Sequence, residues 1–325
     1  MAGQRPNISV VMPVFNGARF VASAIESIQN QTLGDFEFII VDDGSTDRTP
    51  DILKAYAQRD PRIRLVRQDN AGIVGALNRG IEEARAPLLA RMDADDVSRP
   101  NRLEVQVRFL AGAADCSVVG SAVRLIDEKG QGDRVIRYPR HLNNLREAVV
   151  AGRILAHPTA VMRRQFLEKI GGYRRVLEGV EDTDLWLRLV AEGPIANVDE
   201  VLLDYRMHPA KVTAASTYLT RVKESVARGL AYERLCGLPE RDLQSDSIFD
   251  LAIGFAARAV DKRFSGSNPW MDARRTRRIL RDILQLDPTS REECRGLLSS
   301  LAAGQLKRLK FIEAAKTFFY RYRWD

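Results

Sequence analysis

Leu88-Leu89-Ala90-Arg91-Met92-Asp93-Ala94-Asp95-Asp96 reads as a short buried strand that runs straight into three carboxylates within four residues. Alternate residues of a strand share a face, which points Asp93 and Asp95 the same way. Two like charges that close repel unless a cation or strong donors sit between them. All-oxygen ligation suits a hard divalent ion, Mg²⁺ or Mn²⁺, which completes its shell with water and substrate phosphates. The same residues also suit a strand end followed by a solvated acidic turn, with Asp95 or Asp96 capping the next helix. The stretch alone leaves both readings open.

Upstream of it, strand and helix signals alternate. Ile8-Ser9-Val10-Val11-Met12-Pro13-Val14-Phe15 is a β-rich apolar run, the first strand of a buried parallel sheet. Pro13 is expected to end its ladder, and Asn16-Gly17 to turn the chain. Phe20, Val21, Ala24, Ile25 and Ile28 then recur at helical spacing. Phe36 to Val41 is a second strand, running into Asp42-Asp43-Gly44-Ser45-Thr46-Asp47. Thr49-Pro50 starts a helix, with the threonine hydroxyl as its cap and proline at the first helical position. Ile63 to Val66 is a third strand, and a helix from Asn70-Ala71-Gly72 to near Ala84 leads back to the acidic strand. The alternation predicts an α/β fold, a mostly parallel, Rossmann-like sheet flanked by helices. Ligands of such sheets bind beyond the carboxyl ends of the strands. Pro13–Asn16, Asp42–Asp47 and Asp93–Asp96 should therefore converge on one crevice.

Downstream, Asn101 to Leu110 is helical, and Ser117 to Leu125 is a strand with Val135 to Tyr138 as its hairpin partner. His157 to Met162 reads as another strand. Glu181-Asp182 opens a helix whose apolar side includes Leu185, Trp186 and Leu189. Val198 to Arg206 is a last strand, with His208 just beyond it. After about residue 215 the strand signal ends and the rest reads as helices.

Composition agrees with this division. At 45% hydrophobic and 29% charged, the 325 residues are those of an ordinary soluble globular protein. Residues 1–215 balance 29 basic against 29 acidic side chains, whereas residues 216–325 hold 21 and 14, so the whole net charge of +7 lies in the last third. No signal-like segment opens the chain, and no run approaches the ~18 apolar residues of a membrane span. Cys116, Cys236 and Cys294 are scattered and odd in number, which fits a reducing cytoplasm. Arg274-Arg275-Thr276-Arg277-Arg278 and a final amphipathic segment (Leu306, Leu309, Ile312, Ala315, Phe319 and Tyr322 flanked by lysine and arginine) fit two roles. One is a helix in the interface at the inner face of a membrane; the other is packing on its own domain or on a twin subunit. No aromatic-basic RNA motif or DNA-reading module is present, which argues against nucleic acid.

The polar strand ends form a set: Met12-Pro13-Val14-Phe15-Asn16, Val41-Asp42-Asp43-Gly44-Ser45-Thr46-Asp47, Asp93-Ala94-Asp95-Asp96 and Glu181-Asp182. In this order the chain resembles a family 2 glycosyltransferase of the GT-A fold over about residues 8–210. The resemblance implies a transferase domain over 1–215, its donor half about 8–97 and its acceptor half about 98–215, followed by a basic helical region over 216–325. It implies a nucleotide-sugar donor, most simply a UDP-sugar, and a saccharide or lipid-linked acceptor. Pro13, Val14, Phe15, Asn16 and Asp43 would line the donor's base, with Asn70, Gly72, Asn78, Asp93 and Ala94 near the rest of the donor. Asp43 is equally suited to capping the amides of Gly44 to Asp47. Asp93 and Asp95 would hold Mg²⁺ or Mn²⁺, with Asp96 sharing ligation or holding the ribose, and His208 as a further ligand. Asp182 would be the catalytic base, although Glu181 and Asp182 also complement a helix dipole. Glu181, His157 and Trp186 fall on the acceptor side, Trp186 also fitting a core position. The arginine common before the Asn78 position is here Leu77, which leaves the diphosphate's cationic partner unassigned.

Competing classes lack their marks. A sugar nucleotidyltransferase needs a glycine-rich loop with lysine or arginine after the first strand, and Pro13-Val14-Phe15-Asn16-Gly17 is not one. A phosphoacceptor domain needs a lysine at a later strand end, and none occurs between Lys54 and Lys129. No Gly-x-Gly-x-x-Gly follows a strand, which excludes a dinucleotide oxidoreductase. A non-catalytic nucleotide-sugar binding protein is the alternative that the residues themselves leave open.

Overall fold

The computed structural model describes residues 6–209 and 218–237, with positions 243, 248, 251–253, 255, 278, 279, 281 and 282. The chain divides into two compact units, Met1–Ala214 and Ala215–Asp325. The first is built on a mixed sheet of ten strands among the described residues. In chain order these are β1 (Ile8–Val14), β2 (Phe36–Asp42), β3 (Ile63–Arg67), β4 (Leu88–Arg91), β5 (Val97–Ser98), β6 (Val118–Ile126), β7 (Val135–Ile136), β8 (His141–Leu142), β9 (Val161–Arg163) and β10 (Ile195–Arg206). The helices are α1 (Val21–Gln29), α2 (Thr49–Ala57), α3 (Gly72–Glu83), α4 (Arg102–Gly112), α5 (Leu145–Ala151), α6 (Arg164–Ile170) and α7 (Glu181–Leu189). The strand order is β3-β2-β1-β4-β9-β6-β10-β5. The first four strands are parallel, whereas β9 runs antiparallel to both β4 and β6.

Both faces of the parallel half are covered. On one, Ile8, Val10, Met12 and Val14 pack with Val21, Ala24, Ile25 and Ile28 of α1 and with Leu103 and Leu110 of α4. On the other, α3 approaches so closely that a Cβ on Gly80 would lie 2.2 Å from Val11 Cγ1. A strand buried on both sides has no reason to alternate, hence the nearly continuous apolar run of β1.

Local differences from the sequence reading each have a cause. β1 runs through Pro13, which pairs with Val41, rather than stopping there. Val11 O accepts from Met92 N, so Val11 and Pro13, two residues on, face β4, whose ladder ends at Arg91. The missing proline N–H therefore costs no bond. Helix α2 begins at Thr49, but Asp47 Oδ1 accepts from the Thr49 N–H at 2.9 Å, while the Thr49 hydroxyl is buried without a partner. The threonine lies inside the first turn, one place too late to cap it. His157–Thr159 is a 3₁₀ turn, and only Val161–Arg163 is strand. Pro158 cannot donate to a ladder, and the Thr159 hydroxyl donates to Ala156 O while accepting from Ser121 N. β10 starts at Ile195 and shifts register against β6 after Val198, leaving Asp199 and Glu200 exposed and breaking the apolar pattern.

A buried arginine ties the site's base to the core. Arg102, 0% exposed, donates to Arg91 O (2.7 Å) and to the Ser98 hydroxyl (2.9 Å), the residues on either side of the acidic segment. Its Nε donates to Gln106 Oε1, and Gln106 Nε2 in turn donates to Val119 O and Thr159 O.

In the second unit, α8 (Tyr218–Leu235) buries Val222, Val226, Ala227 and Ala231, and Arg221 pairs with Asp282 at 2.6 Å. Apart from Arg278, the basic cluster and the final amphipathic segment lie outside the described residues. No described helix is long and apolar enough to cross a membrane.

Candidate active site

The acidic segment is a turn, not a strand, because β4 ends at Arg91 and β5 begins at Val97. Strand alternation therefore does not apply, and the turn gathers three carboxylates rather than two. Oxygens of Asp93, Asp95 and Asp96 all lie within 4.8 Å of one another. Arg206, at the end of β10, fixes this turn: its N–H donates to Asp96 Oδ1 (2.8 Å) and its Nε to Asp95 O (2.9 Å). Asp96 thus meets β10 and caps no helix. His208 Nε2 is 2.9 Å from Asp95 Oδ2, and its ring lies 5.1 Å from that of Phe20.

The ends of β1 and β2 lie alongside. Pro13 and Val14 are buried, while Phe15 is 51% exposed and presents its ring outward. Asn16, with φ of 51°, is a loop tie: it donates its N–H to the Ser45 hydroxyl, and its Oδ1 accepts from Thr46 N (2.9 Å) and Asp47 N (3.3 Å). Asp42 accepts from Ser45 N. Asn16 and Asp42 together cap the turn that Asp43 was suited to cap. The Asp43 carboxylate instead faces the start of α3, where Oδ1 accepts from Gln68 Nε2 (2.7 Å) and Ala71 N (2.9 Å). Asn70 N packs under Gly44, 2.9 Å from where a Cβ would stand.

Helix α3 links this corner to α7. Gly72, φ +78°, is covered by Glu178, whose carboxylate would lie 2.7 Å from any Cβ there. Asn78 is fully used on the Tyr173 backbone, donating to its carbonyl and accepting from its N–H, both at 2.9 Å. That side chain braces the turn before α7. Glu181 and Asp182 open α7; Gly179 N donates to Glu181 Oε2 and Thr183 N to Asp182 Oδ1, each at 2.6 Å. Burial, and then the Asp182 charge, push the Glu181 carboxyl up to about 7.

Between the triad and α7 lies a buried group that sequence reasoning missed. Arg91 is 4% exposed, with Nη1 2.5 Å from Asp93 Oδ2. The Tyr173 hydroxyl pairs with His157 Nε2 at 2.7 Å, and burial raises the phenol's pKa far above its ordinary value, with the charges of Arg91, Glu181, Asp182 and Asp93 all acting on it. The charges of Asp93 and Asp182 thus both reach one tyrosine. Burial and the Arg91 charge hold His157 well below its usual pKa, as a neutral ring. Trp186 is 1% exposed with its ring 5.6 Å from His157, so it belongs to the core and offers no platform to an acceptor. One signal for Arg91 was legible, an arginine inside the apolar run Leu88–Met92.

Carboxylates beyond the ends of β2 and β4, one set close enough for a divalent ion, fit a glycosyltransferase with a GT-A-like fold that uses a nucleotide-sugar donor. The sequence profile of glycosyl transferase family 2 matches residues 9–171, and the chain belongs to that family. The O-antigen biosynthesis glycosyltransferase WbnJ of Escherichia coli is 36% identical over 205 residues, which cover 62% of this chain and 80% of that protein. S. aureus TarS, residues 1–349, solved in complex with UDP-GlcNAc, superposes with a TM-score of 0.63 at 17% identity over 93% of each chain. The mannosyltransferase PcManGT of Pyrobaculum calidifontis, solved with GDP-Man and Mn²⁺, gives 0.52 at 18% identity over 98% of this chain and 85% of that one.

Proposed function

We propose that this chain is a metal-dependent, inverting glycosyltransferase. It takes a sugar from a uridine diphosphate donor to a hydroxyl of a saccharide or lipid-linked acceptor, in the cytoplasmic assembly of a polysaccharide or glycoconjugate. The observation that carries this reading is the meeting of Asp93, Asp95 and Asp96 oxygens within 4.8 Å at the sheet's carboxyl end. An all-carboxylate donor set in a turn still partly open to water fits Mg²⁺ or Mn²⁺. Such an ion, when bound, neutralises the charge that builds on the departing nucleoside diphosphate.

The chain's own residues do the rest. Phe15 offers a face on which a base can stack, and the Asp43 carboxylate can accept from a uracil N3–H. Asp93, Asp95 and Asp96 would hold the ion, with His208 beside Asp95. Asp182 takes the acceptor's hydroxyl proton as that oxygen attacks the anomeric carbon. It stands in the first turn of α7, where backbone N–H groups favour negative charge. One displacement on the face opposite the leaving diphosphate inverts the configuration.

TarS with UDP-GlcNAc supports a uridine donor, and PcManGT with GDP-Man and Mn²⁺ supports the metal while showing that a related fold takes guanosine. A panel of UDP-, GDP- and dTDP-sugars with Mn²⁺, scored for slow donor hydrolysis, separates these. A uridine donor is expected to be turned over, and EDTA to stop it. Turnover of guanosine donors alone would overturn the nucleotide assignment, and turnover untouched by EDTA would overturn the metal.

A further inference from the structure

A buried arginine under a cluster of three carboxylates is unusual, because burial opposes its charge and nothing about the sheet requires one at that position. Arg91 is the last residue of β4 and is 4% exposed. Its Nη1 lies 2.5 Å from Asp93 Oδ2 as an ion pair, and both Nη1 and Nε are buried without a hydrogen bond of good geometry. Behind it stand the neutral His157 and the un-ionised Tyr173, and in front the charges of Asp93 and Asp96 more than offset the penalty of burial. Its backbone is held in turn by Arg102 through Arg91 O. The guanidinium is thus enclosed, at 4% exposure, beside the carboxylate it pairs with.

We infer that Arg91 is a built-in counter-cation of the acidic triad, which holds Asp93 in an ion pair and keeps the site's affinity for a free divalent ion low. Three carboxylates this close would otherwise repel one another or take up protons. A guanidinium stays charged at every working pH, so it lets the cluster exist before any metal is bound. The same charge repels an incoming divalent ion and occupies an oxygen that would ligate it. The ion then binds firmly only when a nucleoside diphosphate adds its own negative oxygens, so metal and donor enter together and metal and nucleoside diphosphate leave together. Loss of a merely structural arginine would loosen the turn and weaken metal binding. Loss of a counter-cation strengthens it.

This inference rests on the proposed metal site, and one titration separates the two. Mn²⁺ binding to the whole protein without nucleotide is measured by the free-ion EPR signal for wild type, Arg91→Met, Arg91→Gln and Arg91→Lys, with thermal unfolding as a check that each is folded. Wild type is expected to bind one Mn²⁺ weakly, and both charge-removing variants to bind about tenfold more tightly. Arg91→Lys, which keeps the charge, is expected to stay within about twofold of wild type. Arg91→Gln keeps a polar, uncharged side chain at the site and reports even if the methionine variant does not fold. Unchanged or weaker binding in the folded charge-removing variants overturns the role of Arg91 while leaving the metal site standing. No Mn²⁺ bound by wild type, with or without UDP, overturns both.

Discussion

Asp182→Asn is expected to lower kcat for sugar transfer by about 10²–10⁴-fold, the range for loss of a positioned general base. The amide keeps the size of the side chain and its place at the start of α7, where its oxygen can still accept from Thr183 N. What it loses is the ability to receive a proton from the acceptor hydroxyl. Glu181 is held in a different place, buried and with one oxygen already accepting from Gly179 N, so it does not stand where Asp182 does. The donor's KM should barely move, since the proposed role of Asp182 is on the acceptor. A variant within threefold of wild type in kcat would remove Asp182 from the base role.

Arg102→Ala is expected to cost about 3–5 kcal/mol of folding stability, as for opening a large cavity and leaving buried acceptors without their donors. Removal takes the Arg102 donors from Arg91 O, Gln106 Oε1 and the Ser98 hydroxyl, which keeps only its contact with Met92 Sδ, and leaves a cavity where a 0% exposed side chain stood. It also frees both ends of the acidic turn, so the remaining folded protein should bind metal poorly. Urea unfolding of the two proteins measures the cost. A loss below about 1 kcal/mol, the net value of one ordinary hydrogen bond, would mean that Arg102 is no keystone of the turn.

Much of the parallel half was legible because its physics is local. A strand covered on both faces reads as a continuous apolar run, and Ile8–Val14 and Phe36–Asp42 do so. The acidic turn was visible for the same reason, since three carboxylates in four residues need no partner from elsewhere to be noticed. Failures came where a distant residue decided the outcome. Pro13 stays in its strand because β4 has already ended beside it. Asn78 turned out to brace Tyr173, 95 residues away, a pairing with no trace in the spacing. Arg91, Arg102 and Arg206 were passed over because arginine is ordinarily a surface residue. Here each is buried, and each fixes a part of the acidic turn.

The account stands on the acidic turn holding a divalent ion against the donor's diphosphate. Calorimetric titration of UDP into wild type and Asp95→Asn, each with Mn²⁺ and with EDTA, tests it most directly. Wild type should bind UDP at least about tenfold more tightly with Mn²⁺, as two coupled ligands of one site must, and Asp95→Asn should lose that enhancement. Equal enhancement by Mn²⁺ in both proteins would contradict the account.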